Sequence, residues 1–284
     1  MPSNTKREGQ EVTRFYRVAY DGAHFHGFQR QPDVATVGGT LLDALDQLGV
    51  QQEGWAAAGR TDAGVSAIGQ TVRIRGPEWL TPSALNSRLP DTIWCWASTT
   101  VTPDAHPRYA AVERTYSYDM YVPECSMERV HAIGERLTGT HDFGNLSAAS
   151  KDTKRTLTSF ESVQDGPYVR LILRAPSFIH EQVRRIATLV SEYASGSRTD
   201  EEVDRILDPS VEIHGAQGIA PAPPEPLILV DVAYPDGLTF SPDEEAIQLT
   251  QAWFREEAIL HSLRHRTTAQ IDAYLDEVAT DQYE

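Results

Sequence analysis

The chain has 284 residues, 40% of them hydrophobic and 8% aromatic, enough to bury a substantial core and to form two modest domains. No apolar run is long enough to span a membrane, the N-terminus Met1-Pro2-Ser3-Asn4-Thr5-Lys6 lacks a signal-peptide core, and Cys95 and Cys125 have the spacing of neither a disulfide framework nor a zinc knuckle, so a cytoplasmic setting is expected. The formal charge of −16 argues by itself against a nucleic-acid partner, yet lysine occurs only at Lys6, Lys151 and Lys154, an acid-rich and lysine-poor balance like that of proteins from salt-loving microbes, in which charge reports habitat rather than ligand.

Along the chain, Thr13 to Tyr20 alternates as a strand does, Asp21-Gly22-Ala23 makes a turn, and Leu41, Leu42, Leu45 and Leu48 recur at helical spacing. Trp55 to Ala58 leads into a loop, and Gln70 to Arg75 alternates again after it. Thr81 as N-cap and Pro82 as first helical residue start a second helix, and Ile93 to Ala97 reads as a strand. Residues 11–105 therefore carry the strand-helix-strand-strand-helix-strand order of a ferredoxin-like domain.

The order recurs over residues 106–240. Arg114 to Tyr121 is an aromatic, alternating strand, Glu128 to Leu137 is helical, and Tyr168 to Arg174 is a further strand. Ile179, Val183, Ile186, Val190 and Tyr193 fall on one helical face, and Leu227 to Tyr234 returns as a strand. Pro221 to Pro226 makes a stiff approach to that strand. The tail, residues 241–284, is charged, poor in glycine and predicted to form two helices.

Several chemistries are weighed against the sequence. There is no GxxxxGK[ST] or GxGxxG loop for nucleotides. His24 with His26, and His261 with His265, are metal-type pairs without a clear third ligand, so surface or partly packed histidines are expected instead. The segment Ala58-Gly59-Arg60-Thr61-Asp62-Ala63-Gly64-Val65-Ser66-Ala67 presents one carboxylate, Asp62, beside a cation and between two glycines that let another molecule approach closely. An ionised Asp62 there is a candidate nucleophile. The same residues also suit an ordinary turn in which Asp62 caps backbone groups.

The chain resembles the tRNA pseudouridine synthase A family over roughly residues 14–235. Tyr20-Asp21-Gly22 followed by Gly27-Phe28-Gln29-Arg30-Gln31 resembles the opening YDG-GxQxQ signature, and Ala58 to Val65 the AGRTDxGV catalytic loop. Arg108, Ala111, Arg114, Tyr116 and Tyr118 resemble the RxxAxxRxYxY segment. Gly139-Thr140-His141-Asp142-Phe143 resembles the HDF element, and Phe178 to Arg184 the FxxxxVR helix. The resemblance departs at Ser66-Ala67, where many members have a histidine.

The resemblance implies an isomerase that converts uridine to pseudouridine at positions 38 to 40 of the tRNA anticodon stem-loop, without cofactor or metal. It implies Asp62 as nucleophile, at C6 of the ring or C1′ of the sugar, Arg184 as its partner and Tyr116 against the flipped base. Arg60, Arg108 and Arg114 are the expected substrate contacts, with Arg30, Lys151, Lys154 and Arg155 as further phosphate candidates. The expected fold is α+β: two ferredoxin-like (RRM-like) domains whose antiparallel sheets join around a central active-site cleft, plus the helical tail, in a homodimer. Two other functions compete. One is a non-catalytic RNA-binding module; the other is a hydrolase pairing Asp62 with Asp21 or Asp142 as acid and base.

Overall fold

The computed structural model describes residues 11–148, 151–211, 213 and 218–281; the residues Met1 to Lys6 and the last three of the tail lie outside them. The chain opens with β1 (Glu11–Tyr20), whose last six residues are all buried because β3 (Ser66–Pro77) and β4 (Ile93–Thr100) flank it on both sides. Between β1 and β3 lie α1 (Val37–Gln47) and the two-residue β2 (Ala56–Ala57), which pairs with β3. α1 is capped by Thr36, whose hydroxyl accepts from the Gly39 amide, and it buries Leu41 and Leu45 completely. The short α2 (Pro82–Asn86) starts as expected, with the Thr81 side chain accepting from Ala84 N and proline in the first turn.

The second half runs through α3 (Pro107–Ala110), β5 (Glu113–Tyr121), α4 (Met127–Leu137), β6 (Gly139–Asp142), β7 (Lys154–Leu157), β8 (Ser159–Asp165) and β9 (Tyr168–Ala175). It continues with α5 (Gln182–Ala194), α6 (Asp200–Leu207), β10 (Leu227–Ala233) and β11 (Ser241–Pro242). Among the described residues one large sheet runs β11-β4-β1-β3-β10-β5-β9-β8, with β2 attached to β3; β6 and β7 form a separate pair.

β10 is the strand that makes one sheet of the two halves. It pairs antiparallel with β5 and parallel with β3, so the junction departs from the antiparallel arrangement expected. A parallel neighbour needs a long crossover, which the intervening second half supplies. Two apolar clusters lie in the sheet's two halves, one around Tyr16, Leu41, Val72 and Ile93, the other around Ile133, Leu171, Ile186 and Val190. Leu229 and Val232 of β10 join the first and Leu227 joins the second, while Tyr116 packs against both.

The tail corrects the sequence reading. In place of two helices it forms one, α7 (Glu244–Asp281), with no glycine or proline to break it. Its start is fixed by Asp243, whose carboxylate accepts from Ala246 N (3.0 Å) and from the Ser83 hydroxyl (2.7 Å). Ala246 is buried, whereas every residue from Ala258 to Asp276 is exposed. Removing residues 256–284 is therefore expected to change unfolding stability by no more than about 0.5 kcal/mol, the scale of surface changes, as measured by denaturant melts of both proteins. No described helix is long and apolar enough to cross a membrane.

Candidate active site

Three segments hold the Asp62 loop in place, and the first is the chain just after β1. Gly22 lies so close to the loop that a Cβ there would sit 2.3 Å from the backbone of Val65, and its amide donates to the Ser66 hydroxyl (3.0 Å). Phe28 N donates to Thr61 O (3.0 Å), and the Tyr20 and Thr61 hydroxyls are bonded at 2.8 Å in the buried core. Burial pushes the Tyr20 phenol up to about 12, so that hydroxyl stays a neutral prop. Gly22→Ala has no space to relax into and is expected to cost about 1–3 kcal/mol as overpacking, read as a lowered denaturant midpoint, with a parallel loss of activity.

The loop itself turns at Asp62 to Val65, with Val65 N donating to Asp62 O (3.2 Å). Gly64 takes φ +83° at the third position, as a type II turn requires, and a Cβ there would press on Pro224 at 2.9 Å. Val65 then leaves the first half altogether and is buried in the apolar cluster of the second. Asp62 is thus pinned at the seam of the two halves.

The second and third segments come from beyond that seam. Arg184, in the first turn of α5, reaches Asp62 Oδ2 with Nη1 at 3.2 Å, although the two residues are 122 apart in sequence. Its Nε donates to Ala222 O (2.6 Å), and Ala222 N donates back to Arg184 O (3.2 Å). The proline-rich approach to β10 is therefore a wall of the site as well as a stiff linker: Pro223 O accepts from Tyr118, and Pro224 meets Gly64. The Arg184 side chain is 14% exposed and the Asp62 side chain 29%, so the pair is screened less than a surface ion pair but opens to solvent on the carboxylate side.

His180 stands across the carboxylate from Arg184, its Nε2 3.5 Å from Asp62 Oδ1. The sequence reading did not single it out. The reason is local: the helix predicted from Ile179 onward begins at Gln182, and Glu181 just before it adopts φ +61°. With Glu181 left-handed, His180 lies ahead of the helix rather than in its first turn.

Tyr116 lies on β5 opposite Leu229 of β10, which in turn faces Ala67 of β3. Two strand spacings, about 10 Å, separate it from the exit of the Asp62 loop. Its ring meets Phe178 edge-on at 5.1 Å between centroids. Burial, then Tyr20 and Asp62, push its hydroxyl well above the ordinary phenol range. Among the described residues that hydroxyl makes no hydrogen bond.

The remaining candidates fall into two groups. Arg60 and Arg108 are exposed, as are Lys151 and Lys154. Arg60 makes no ion pair with Asp62 among the described residues, so the cation beside the carboxylate is Arg184 and not the sequence neighbour. Arg114 is half-buried and spends its guanidinium on the carbonyls of Ala58, Arg108, Ala111 and Pro176. That ties the start of the Asp62 loop to the segment leading into α5. Arg30 pairs with Asp43, and Arg155 folds back on Asp152. Asp21 is engaged with Ala23 N and His24, and Asp142 caps Gly144; neither pairs with Asp62 in the manner of an acid and base couple.

A family model described as tRNA pseudouridine synthase matches residues 133–235. Across 94% of this chain and 99% of its own length, a tRNA pseudouridine synthase A of Haloarcula marismortui is 42% identical. The chain belongs to the tRNA pseudouridine synthase A family. A second member, from Halobacterium salinarum, is 44% identical over 91% of this chain and 98% of its own. A third, from Pyrococcus abyssi, is 36% identical over 82% and 88%. The acid-rich, lysine-poor composition fits the halophilic members of the family. One chain in the structure of an H/ACA RNP bound to a substrate RNA containing 2'-deoxyuridine aligns over 61% of this chain and 44% of its own, at 10% identity and a TM-score of 0.33, too remote to bear on the site.

Members of the family are isomerases that act on tRNA uridine.

Proposed function

We propose that this synthase converts uridine to pseudouridine at positions 38 to 40 of the tRNA anticodon stem-loop, with Asp62 as the nucleophile. The observation that carries the reading is the ion pair between Arg184 and Asp62, contributed by opposite halves of the chain. A charge-assisted contact holds the carboxylate aimed, which is what a nucleophile toward C6 or C1′ requires. Tyr116, partly buried with an unbonded hydroxyl, packs against the flipped uracil and offers that hydroxyl to its polar edge.

The halves, residues 11–105 and 106–240, act as two ferredoxin-like units sharing one sheet, with the 241–284 helix as an appendage. Exposed Arg60 and Arg108 meet the RNA backbone, while Arg114 serves the substrate indirectly by holding the loop. The enzyme works in the cytoplasm as a homodimer whose paired clefts hold the tRNA, as the family resemblance implies. Phosphate contacts of this kind weaken as salt rises, so a high-salt enzyme relies on shape and stacking more than on its few exposed cations.

The test is site-resolved mapping of pseudouridine after incubation of the purified protein with an unmodified tRNA transcript in concentrated salt. Pseudouridine at one or more of positions 38 to 40 supports the proposal. Modification only elsewhere, or none, sinks it.

A further inference from the structure

We propose that His180 carries the proton of the isomerisation, accepting it from C5 of the target uridine as the C5–C1′ bond forms and returning one to N1. The inference rests on the uridine isomerisation proposed above. That reaction breaks the N1–C1′ bond and makes a C5–C1′ bond. The C5 hydrogen leaves as a proton, its electron pair restores the C5–C6 double bond, and N1 gains a proton. The sum is an isomerisation with no co-reactant, so one group that takes a proton and gives it back suffices.

The groups gathered at the seam differ in their fitness for that task. Arg184 has no lone pair to offer, and Asp62 is engaged with the substrate carbon. The Tyr116 hydroxyl is held in its protonated form by burial and by the Asp62 charge, which makes it a donor and a poor acceptor. His180 remains, and histidine is the side chain suited to taking and returning a proton near neutral pH.

Its placement is built by its surroundings. The imidazole faces Asp62 Oδ1 at 3.5 Å while Arg184 occupies Oδ2, and the side chain is 62% exposed, open to an entering base. The His180 carbonyl is held by the Ser147 hydroxyl (3.0 Å) and Ala148 N (3.2 Å). Glu181 is fixed in its left-handed conformation by a carboxylate pair with Arg185 (2.7 Å), and the Gln182 side chain accepts from Ile179 N (3.0 Å). Backbone strain of this kind is stored where the surrounding structure over-determines it, often at active sites. Among the described residues the charged groups paired about the imidazole are Asp62 and, across it, Arg184, while Glu181 pairs with Arg185.

Single-turnover assays with tRNA carrying tritium at uridine C5, compared across pH for wild type, His180→Gln and His180→Ala, test this. The expected result is a rate lowered about 10²-fold in both variants with tRNA affinity unchanged, loss of the acidic limb of the pH profile, and partial rescue of His180→Ala by added imidazole. A His180→Gln enzyme with wild-type rate and pH profile overturns the proposal, as does a slow variant with the acidic limb intact and no rescue by imidazole. If Asp62→Ala is inactive in the same series, the proposed function survives that failure. A wild-type enzyme that releases no tritium from tRNA fails the proposed function instead.

Discussion

Asp62→Ala is expected to lower the rate of pseudouridine formation by on the order of 10⁴-fold or more, because a covalent route loses its attacking group outright and binding supplies only the residual rate. Beyond the lost contact to Arg184 the fold has no reason to suffer. Asp62 is partly exposed, and the loop is held by Gly22, Thr61, Gly64 and Val65 rather than by the carboxylate. The tRNA affinity is therefore expected to stay near wild type and the stability to fall by no more than about 1.5–3 kcal/mol, the worth of the lost contact to Arg184, checked by denaturant melts and by filter binding beside single-turnover kinetics. A variant retaining even a tenth of the wild-type rate contradicts the assignment.

Arg184→Leu is the second large effect. It removes the charge-assisted contact to Asp62 Oδ2 and the donor to Ala222 O, and such contacts are worth about 1.5–3 kcal/mol each. Turnover is expected to fall about 10²-fold, roughly 2.7 kcal/mol of transition-state stabilisation. Arg184→Lys is expected to recover only part of this, since one ammonium on a flexible stem cannot serve the carbonyl and the carboxylate in the fixed geometry of a guanidinium. The paired single-turnover rates of the two variants check it, and equal full activity in both would show that the contact is structural.

Much of this site was legible because its chemistry sits in short stretches of unusual composition. Of the two glycines around Asp62, Gly64 marks a real constraint with its positive φ, whereas a Cβ at Gly59 would meet open space; the other constraint is Gly22, which packs on the loop from the end of β1 with no space for a side chain. Local rules also fixed α2, where threonine and proline set the start, and the alternating strands β1, β5 and β9. What escaped was non-local or weakly patterned. β8 reads Ser159-Phe160-Glu161-Ser162-Val163-Gln164-Asp165, an edge strand largely exposed, with too little apolar alternation to announce itself. α6 was missed although Thr199 and Glu202 form a capping box that its sequence displays.

The parallel pairing of β10 with β3 depends on where the second half folds back, which no window of residues contains. His180 and the carbonyl of Ala222 enter the site through a left-handed Glu181 and a proline-rich wall. Both are backbone features with no periodic signature. Arg114 shows the converse: its motif marked it as a substrate contact, yet its donors are turned to four backbone carbonyls at the join of the halves.

The central claim is that a carboxylate and a guanidinium from opposite halves of the chain form the catalytic pair of a uridine isomerase. Site-resolved pseudouridine mapping on one unmodified tRNA, run in parallel with wild type and Asp62→Ala in concentrated salt, tests it most directly. The account predicts pseudouridine at one or more of positions 38 to 40 with wild type and unmodified uridine there with Asp62→Ala, although the variant still binds the tRNA. Pseudouridine formed at those positions by Asp62→Ala would contradict it.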